Sequence, residues 1–344
     1  MNKYLTDLTL EELTSIIKEL GGKKYLAKQI WDWIYKKNTL EFDKMSDISI
    51  KFRELLKIKF NLGVYKLKEK KSSSDGTEKF LLELEDGNFI ESVLIPEKNR
   101  LTLCISSQIG CKFNCSFCST GKMGFIRNLT TAEIVEEILF IQNLKQNRIT
   151  NVVYMGMGEP FDNFDNVIKS AHILNSDNGL AIGARKITIS TFGHIPGIRK
   201  YIDLDIRFRL AVSLHNPFND QRSEIMPGNK QYALKDLFIV LKEYTKLSNR
   251  KVVFEYILLK DLNDTLAHAK ELKILLSELP SKLNLIKYHD NPYTEFSSTS
   301  NIQQQRFYNF FKNVNFPVVF RASRGEDIDA ACGQLFTKNK KLSN

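Results

Sequence analysis

Strand and helix patterns alternate along the chain from about residue 101 to residue 322. Short apolar runs predict strands over residues 101–106, 151–155, 186–190, 207–214, 251–258, 283–288 and 317–322. Apolar residues at helical spacing predict helices over residues 131–146, 163–175, 234–246, 265–279 and 302–313. Repeated β-α units indicate a parallel sheet, and about six of them indicate an α/β fold with a partial or full barrel. In such a barrel the functional residues follow the carboxyl ends of the strands.

The chain before this barrel divides into a helical segment and a β segment. Residues 1–62 predict three helices, over about 9–20, 24–37 and 50–58, that form a small accessory domain. Residues 63–100 predict a β-hairpin extension with strands at 80–85 and 89–95, preceded by a flexible turn or loop at 70–76. The catalytic barrel would then occupy residues 101–337, and a basic tail residues 338–344.

The net charge of +10 favours a polyanionic partner, with nucleic acid ahead of an anionic membrane. Residues 1–72 contain 16 Lys and Arg against 10 Asp and Glu, a net charge of +6, so the accessory domain is suited to guiding a nucleic acid. Two plainer explanations stay open: a genome-wide preference for lysine, and a solvated cap on the barrel.

Composition places the chain among soluble globular proteins, with 42% hydrophobic and 26% charged residues. Its apolar runs fall short of the ~20 residues that span a membrane. The first residues lack the apolar core of a signal peptide, so we expect a cytoplasmic protein. Five cysteines, with three inside one eight-residue window, favour metal ligation over a disulfide framework.

The three clustered cysteines follow the first barrel strand with the spacing Cys-x₃-Cys-x₂-Cys, at Cys111, Cys115 and Cys118. Three thiolates in one loop can hold three irons of a cubane cluster and leave the fourth iron open to a chelating ligand. Structural zinc is the competing interpretation, but such sites normally take two separate ligand pairs, and no second pair is nearby. Phe117 precedes the third cysteine, where its ring can shield a cluster from solvent.

This triplet, with an aromatic residue before its last cysteine, resembles the signature of radical S-adenosylmethionine (SAM) enzymes. Residues 156–160, Gly-Met-Gly-Glu-Pro after the second strand, are similar to the Gly-Gly-Glu-Pro loop of that superfamily. The resemblance implies a partial (β/α)6 radical SAM barrel and one [4Fe-4S] cluster on Cys111, Cys115 and Cys118. It also implies that SAM binds the open iron and is cleaved to a 5′-deoxyadenosyl radical.

The two remaining cysteines lie elsewhere. Cys104 is in the strand that enters the cluster loop, where a free cysteine is usually a small buried hydrophobe. Cys332 follows the last strand, among small and charged residues, so we expect an accessible side chain over the barrel mouth. Arg324 is the cation that we expect to favour a Cys332 thiolate.

The segment around Cys332, Asp-Ile-Asp-Ala-Ala-Cys-Gly-Gln-Leu at residues 327–335, resembles the C-terminal signature of the RNA adenosine C2-methyltransferases, the RlmN-type family. Further matches are Leu-Cys-Ile-Ser-Ser-Gln at 103–108, Ser-Leu-His at 213–215 and Asn-Leu-Ile at 284–286. The resemblance covers nearly the whole chain. It implies methylation of adenosine C2 at position 2503 of 23S rRNA, in the peptidyl transferase centre, and at position 37 of tRNA.

The same resemblance implies covalent catalysis with two SAM molecules per turnover, because adenine C2 cannot attack a methyl group as an ordinary nucleophile. Cys332 would take a methyl group from one SAM, and the radical from the second would remove hydrogen from it. After the methylene carbon adds to the ring, Glu91 would remove the ring proton and Cys104 would attack the Cys332 sulfur, leaving a disulfide. On its pattern alone Glu91 reads as a solvated carboxylate; the resemblance makes it the base.

Seven residues correspond to SAM contacts of the family: Gly158, Glu159, Ser190, Ser213, Leu214, His215 and Asn291. The family runs Asn-Leu-Ile-x-x-Asn-Pro, whereas this chain has two extra residues before Asn291, which could displace it or pass its role to Asp290. The implied partners are 23S rRNA, tRNA and an electron donor such as flavodoxin or ferredoxin, with no membrane, for a monomeric enzyme. Phosphate contacts are expected from the N-terminal lysines and from Lys338, Lys340 and Lys341.

Other functions stay open at this point. The nearest is C8 methylation by the sister family, although Pro160 and the pair Arg324-Gly325 are more similar to the C2 group. A non-catalytic RNA-binding iron–sulfur protein would leave Cys332 unexplained, and a glycyl-radical activase calls for neither additional cysteine.

Overall fold

The computed structural model describes residues 3–290, 293–321 and 324–337. Its first part is a small helical module whose ends are tied by two short parallel strands, β1 and β2. In chain order the elements are β1 Lys3–Tyr4, α1 Leu10–Glu19, α2 Lys24–Tyr35, α3 Ile50–Lys59 and β2 Phe60–Asn61. Thr9 and Glu12 form a capping box that starts α1. The three helices occur where apolar spacing predicted them, and Leu13, Ile17 and Ile30 face the core.

Three antiparallel strands follow, which are β3 Tyr65–Ser72, β4 Glu78–Leu84 and β5 Phe89–Glu97. The hairpin at 80–95 is confirmed, but the flexible loop expected at 70–76 is wrong in its first half, because Lys70 and Lys71 pair with β4. Beyond Tyr65, β3 is exposed along its whole length, so it lacks the apolar alternation that marks a strand. Its lysines suit an edge strand, which must resist pairing with other chains.

The loop that carries Cys111, Cys115 and Cys118, the cluster loop, leaves the end of β6 Arg100–Cys104. It contains a small antiparallel sheet of β7 Gln108–Gly110 and β8 Phe125–Asn128. The short helix α4 Ser119–Lys122 lies between these two strands. The remaining strands are β9 Asn151–Tyr154, β10 Ile187–Thr191, β11 Arg209–Ser213, β12 Val252–Leu258, β13 Ser281–Lys287 and β14 Val318–Arg321.

Among the described residues one sheet runs in the order β14-β13-β12-β11-β10-β9-β6-β5-β4-β3. The seven strands from β14 to β6 are parallel and the other three are antiparallel. The sheet ends at β14 and β3 and does not close, so the predicted partial α/β barrel is confirmed, with six β-α units and a seventh parallel strand. The three antiparallel strands are continuous with the barrel sheet.

Helices cover the outside of the parallel strands. They are α5 Thr131–Lys145, α6 Phe164–Asn175, α7 Ile195–Asp203, α8 Asn219–Ile225, α9 Leu234–Ser248, α10 Leu266–Ser277 and α11 Asn301–Asn309. Sequence patterns missed α7 and α8. Helix α7 contains Pro196 and Gly197, two residues that are poor helix formers, yet proline is well accommodated in the first turn of a helix, where its missing N–H has no partner in any case. Helix α8 has only seven residues.

The helical module is docked on the barrel through the start of α5. Thr6 Oγ1 donates to Glu136 Oε1 at 2.6 Å, and the backbone N–H groups of Gly63 and Val64 donate to Glu136 Oε2 at 2.8 and 2.7 Å. Asp7 accepts a hydrogen bond from the backbone N–H of Ala132 at 2.7 Å. Module and sheet also share one contiguous hydrophobic core.

In the described ranges no helix is long and apolar enough to cross a membrane.

Candidate active site

The three clustered cysteines line one cavity at the carboxyl ends of the parallel strands, with a volume of about 890 Å³ including its opening. Local hydrogen bonds fix the loop that carries them. The Cys111 N–H donates to the Gly124 carbonyl at 2.9 Å, and the Cys118 N–H donates to the Cys115 carbonyl at 3.0 Å. An apolar cluster that includes Phe113, Phe117, Ile225, Met226, Ile257 and Ile286 packs against these cysteines. The cavity is of the size that accommodates a cofactor-sized ligand.

These three thiols suit a cubane cluster. Within the described residues no three His, Cys, Asp or Glu side chains converge on a single metal ion. A [4Fe-4S] cluster makes no such demand, because each thiolate binds a different iron. Burial raises the pKa of all three thiols, that of Cys111 to about 12, so iron binding has to displace their protons. Phe117 is 6% exposed and meets the His215 ring edge to face, with ring centres 4.8 Å apart.

The loop after β9 passes close to the start of the cluster loop. The Gly156 N–H donates to the Ile105 carbonyl at 2.9 Å, and a Cβ at Gly156 would lie 2.6 Å from that oxygen. Gly158 has a φ of +100°, and a Cβ there would meet the Gln108 side chain at 2.5 Å. Both positions therefore require glycine, as the motif has it.

Glu159, the acidic residue of this loop, is buried and lines the cavity. Its two oxygens accept hydrogen bonds from the backbone N–H groups of Phe161 at 3.0 Å and Phe192 at 2.9 Å. Burial raises the pKa of Glu159 to about 7, against these hydrogen bonds, which lower it. A carboxylate held in this way can accept a hydrogen bond from a cationic ligand group such as an amino group.

The other residues expected at SAM are distributed as follows. Ser190, Ser213 and His215 line the cavity at the ends of β10 and β11, together with Gly158. Leu214 is fully buried and lies outside the lining; its N–H donates to the Glu255 carbonyl. His215 Nδ1 accepts a hydrogen bond from the Ile257 N–H at 3.1 Å, and burial lowers the pKa of His215 to about 3, so this imidazole is neutral. Asn291 lies outside the described residues.

Sequence patterns assigned no role to a buried polar pair of which one member, Glu255, lines the cavity. Glu255 in β12 is paired in register with Asn284 in β13, and Asn284 Nδ2 donates to Glu255 Oε1 at 2.9 Å. Glu255 Oε2 and Asn284 Oδ1 are buried without a hydrogen-bond partner among the described residues. A signal was available, because a buried parallel strand is normally a continuous apolar run and each of these residues interrupts one.

Cys332 is exposed and lines the same cavity as the cluster cysteines. Its position follows from the segment around it. Ser119 N–H donates to the Gly333 carbonyl at 2.7 Å, and Thr120 Oγ1 donates to the Leu335 carbonyl at 2.7 Å. The chain that carries Cys332 is thereby fixed to α4, which directly follows Cys118.

Glu91 holds the same segment from the other side. Its Oε2 accepts a hydrogen bond from the Phe336 N–H at 2.8 Å, and its Oε1 lies 3.2 Å from Lys79 Nζ. Glu91 is 6% exposed, so its interpretation as a solvated surface carboxylate is wrong. Burial raises the pKa of this carboxyl, and Lys79 and the Phe336 N–H lower it.

Cys104 ends β6 opposite Val93 of β5. Paired residues in adjacent strands share a face, as do residues two apart in one strand, so Cys104 and Glu91 are diagonal neighbours on one face of the sheet. Burial raises the pKa of the Cys104 thiol, the nearby Cys332 raises it further, and Arg321 lowers it. Burial of the Cys332 sulfur raises its pKa even though the residue as a whole is exposed, and Arg321 lowers it. The expectation for Arg324 is wrong, since its guanidinium lies 3.8 Å from Asp75 Oδ2 and Arg321 is the cation beside both thiols.

Residues 3–62 match the family described as the ribosomal RNA large subunit methyltransferase N-terminal domain, and residues 105–272 match the radical SAM superfamily. A probable dual-specificity RNA methyltransferase RlmN from Bacteroides fragilis is 42% identical over 100% of this chain and 99% of that protein. The protein of the same name from Thermotoga petrophila is 43% identical over 99% of this chain and 100% of its own length.

Among solved structures, a radical SAM methyltransferase from Sphaerobacter thermophilus superimposes with a TM-score of 0.93. It shares 37% sequence identity and covers 97% of this chain and 99% of its own. The relatives therefore share both the sequence and the architecture from end to end.

Proposed function

Because the chain belongs to the RlmN family of radical SAM RNA methyltransferases, we propose that it methylates C2 of adenosine 2503 in 23S rRNA and of adenosine 37 in tRNA. The observation that carries this proposal is the arrangement of the five cysteines. Cys111, Cys115 and Cys118, with the open cavity, suit a cluster and SAM. Cys332 lines the same cavity, and Cys104 lies near Cys332. A radical SAM enzyme without covalent catalysis has no use for the last two.

The chain's own residues perform the steps around the cofactors. Cys111, Cys115 and Cys118 would hold a [4Fe-4S] cluster, which together with SAM would supply a 5′-deoxyadenosyl radical. We propose that two SAM molecules are used per turnover. Glu159, Ser190 and Ser213 line the part of the cavity that would orient SAM, together with Gly158.

Cys332 is the methyl carrier in this proposal. Its sulfur accepts the methyl group of one SAM, and after loss of one hydrogen atom the carbon joins C2 of the adenine ring. Burial raises the pKa of this thiol, and Arg321 counteracts that rise and so favours the thiolate that is needed for the first step.

Glu91 and Cys104 resolve the covalent adduct. Glu91 accepts the proton from C2, for which its buried carboxylate is suited because burial raises its pKa. The unpaired electron that the radical addition leaves on the adduct would pass to the cluster. Cys104 then attacks the Cys332 sulfur, the bond between that sulfur and the methylene carbon breaks, and the carbon takes up a proton, which releases methylated RNA and leaves a Cys104–Cys332 disulfide. Reduction of that disulfide returns both thiols.

An RNA substrate agrees with the excess positive charge and with the docked helical module. Adenine C2 is inaccessible in a stacked helix, so the target base must lie in a loop or be flipped into the cavity. We expect a monomeric cytoplasmic enzyme that receives electrons from a flavodoxin or ferredoxin.

The decisive experiment compares the wild type with Cys332→Ala, each loaded with its cluster, reduced, and supplied with SAM and RNA. We expect 2-methyladenosine in digested RNA from the wild type and no methylated adenosine from the variant, with the cluster absorption unchanged. Methylated RNA from Cys332→Ala would refute covalent catalysis. Detection of 8-methyladenosine in the wild-type digest would assign the chain to C8 chemistry instead.

A further inference from the structure

Cys111 forms a thin wall between the inner cavity and the outer surface of the protein. On its inner side it lines the cavity with Cys115 and Cys118. On its outer side it lines a separate, shallow surface pocket of about 710 Å³, together with Lys112, Lys122 and Phe125. One residue therefore separates the cluster site from this surface.

A hydrogen bond connects the same residue to the rim of the outer pocket. The Cys111 N–H donates to the Gly124 carbonyl at 2.9 Å, and Phe125 follows directly in the chain. The contact is tight, because a Cβ at Gly110 would lie 1.8 Å from the Gly124 oxygen, and Gly110 has a φ of +73°. A path of one hydrogen bond and a few covalent bonds thus leads from the exposed rim to a cluster ligand.

The rim combines positive charge with exposed apolar surface. Lys122 is exposed and has no ion pair among the described residues, whereas Lys112 is paired with Asp162. Phe125 and Ile126 at the start of β8 are 42% and 38% exposed. The neighbouring Arg127 is neutralised by Asp86 and Glu133. RNA binding draws on a run of free cations that contact successive phosphates, and among the described residues of this rim Lys122 is the single cation without an ion pair.

We propose that this surface, the pocket over Cys111 with Lys122 and the tip of β8, is the docking site of a small acidic one-electron carrier protein. The proposal rests on the proposed function, since the radical chemistry requires one electron at the cluster for each SAM cleavage. The carrier loses one electron and the cluster gains it, with no bond broken and no proton moved. Electron-transfer encounters are small and weak and are steered by charge, which suits one free lysine beside an apolar tip.

The test uses cluster-loaded enzyme in three forms: wild type, Lys122→Glu, and Lys235→Glu as a control of equal charge change on the exposed face of α9. Reduction of the cluster by reduced flavodoxin or by a [2Fe-2S] ferredoxin is followed by stopped-flow absorbance at several salt concentrations. Reduction by dithionite, which needs no docking site, is followed in parallel. Affinity for the oxidised carrier and for RNA is measured by titration calorimetry.

We expect Lys122→Glu to slow reduction by the carrier about tenfold at low salt and to weaken carrier binding, with a smaller effect at high salt. Reduction by dithionite and RNA affinity should stay within about twofold of wild type, and Lys235→Glu should match wild type throughout. Equal slowing with dithionite, a loss of RNA affinity, or unchanged carrier kinetics would each overturn the docking site. If the carrier reduces the cluster in a Lys122-dependent manner but no methylated RNA forms, the docking site stands and the proposed function fails.

Discussion

At the residue scale, burial decides the charge of the groups around the cavity. Glu91 and Glu159 both have raised pKa values because the protein removes water from their carboxyl groups, while backbone N–H groups hold each of them in a fixed orientation. His215 is kept neutral for the same reason. Glu159, with a pKa of about 7, therefore lies close to the point of proton exchange at neutral pH, whereas His215 stays a neutral hydrogen-bonding group.

Cys104→Ala separates adduct formation from product release. Without the thiol that attacks the Cys332 sulfur, we expect the reaction to stop with RNA covalently linked to Cys332 through a methylene bridge. Denaturing gel electrophoresis and mass spectrometry of the nuclease-trimmed protein would show the added nucleotide. Cys332→Ala is the matched control and should form no adduct. Free methylated RNA from Cys104→Ala at the wild-type rate would contradict the assigned role of Cys104.

Individual site residues were predictable from the sequence only where a motif contains them. The cluster cysteines, Glu159 and Cys332 stand in motifs, and the structure brings them to one cavity. Arg324 was predicted beside the Cys332 thiol, and the structure has Arg321 there instead. The two arginines are three residues apart at the end of β14, and their side chains point in different directions. No local pattern encodes that orientation.

At the element scale, α5 joins the helical module to the active site. Two adjacent glutamates on this helix, Glu136 and Glu137, are buried and accept hydrogen bonds from different parts of the chain. Glu136 accepts hydrogen bonds from the module, and Glu137 accepts them from Ser92 Oγ at 2.6 Å and from the Ser106 N–H at 3.2 Å. Ser106 Oγ in turn donates to the Glu91 carbonyl at 2.9 Å and accepts from the Met157 N–H at 3.0 Å.

Glu137 thus positions the strand that carries Glu91, the base in the proposed mechanism. Glu137→Ala leaves the Ser92 hydroxyl and the Ser106 N–H unsatisfied, and we expect a loss of about 2 kcal/mol in the free energy of unfolding and slower methylation. Glu137→Gln retains an acceptor oxygen and should recover most of both. Urea unfolding and single-turnover methylation would measure the two effects. Equal defects in the two variants would show that the charge, and not the hydrogen bonds, is what matters.

Glu136 makes the stability of the chain dependent on pH. Burial raises the pKa of Glu136 to about 7, above its ordinary value of 4.5. A group with a raised folded-state pKa stabilises fully below the unfolded value and loses that contribution as pH rises through the folded value. We expect the free energy of unfolding to fall by up to about 3 kcal/mol between pH 4.5 and 7.5 through this group alone. Glu136→Gln should flatten the dependence of the unfolding free energy on pH over this range. Glu224→Gln, at an exposed position of α8, should leave that dependence unchanged.

Elements were predictable where their apolar period was regular. The helices of the module and all seven parallel strands show such a period. Strand β3 and helix α7 do not, because an exposed edge strand carries charges on both faces and a proline with a glycine opens the helix. Both form because neighbours hold them, which a local pattern cannot report.

At the scale of the whole molecule, the basic module and the barrel that holds the cavity share one hydrophobic core. Lys23→Glu combined with Lys24→Glu, on the exposed start of α2, should weaken RNA binding. The slope of the logarithm of the binding constant against the logarithm of the salt concentration should become shallower by about 0.7–0.9 for each lost phosphate contact. SAM cleavage without RNA should not change. Lys235→Glu combined with Lys246→Glu on α9 is the control. Equal weakening by the control pair would mean that the general charge of the protein, and not the module, attracts RNA.

The helical module is docked on the barrel through Glu136, and the next residue, Glu137, positions the strand that carries Glu91. This arrangement has a consequence for substrate choice. A basic surface held at a constant distance from a reactive sulfur fixes the separation between the bound RNA backbone and the nucleotide that can react. We expect substrate choice to depend on how far a loop nucleotide projects from the RNA backbone that the module binds, and not on the sequence of the bases between. Two RNAs of unrelated sequence then qualify equally when they present an adenine at the same reach.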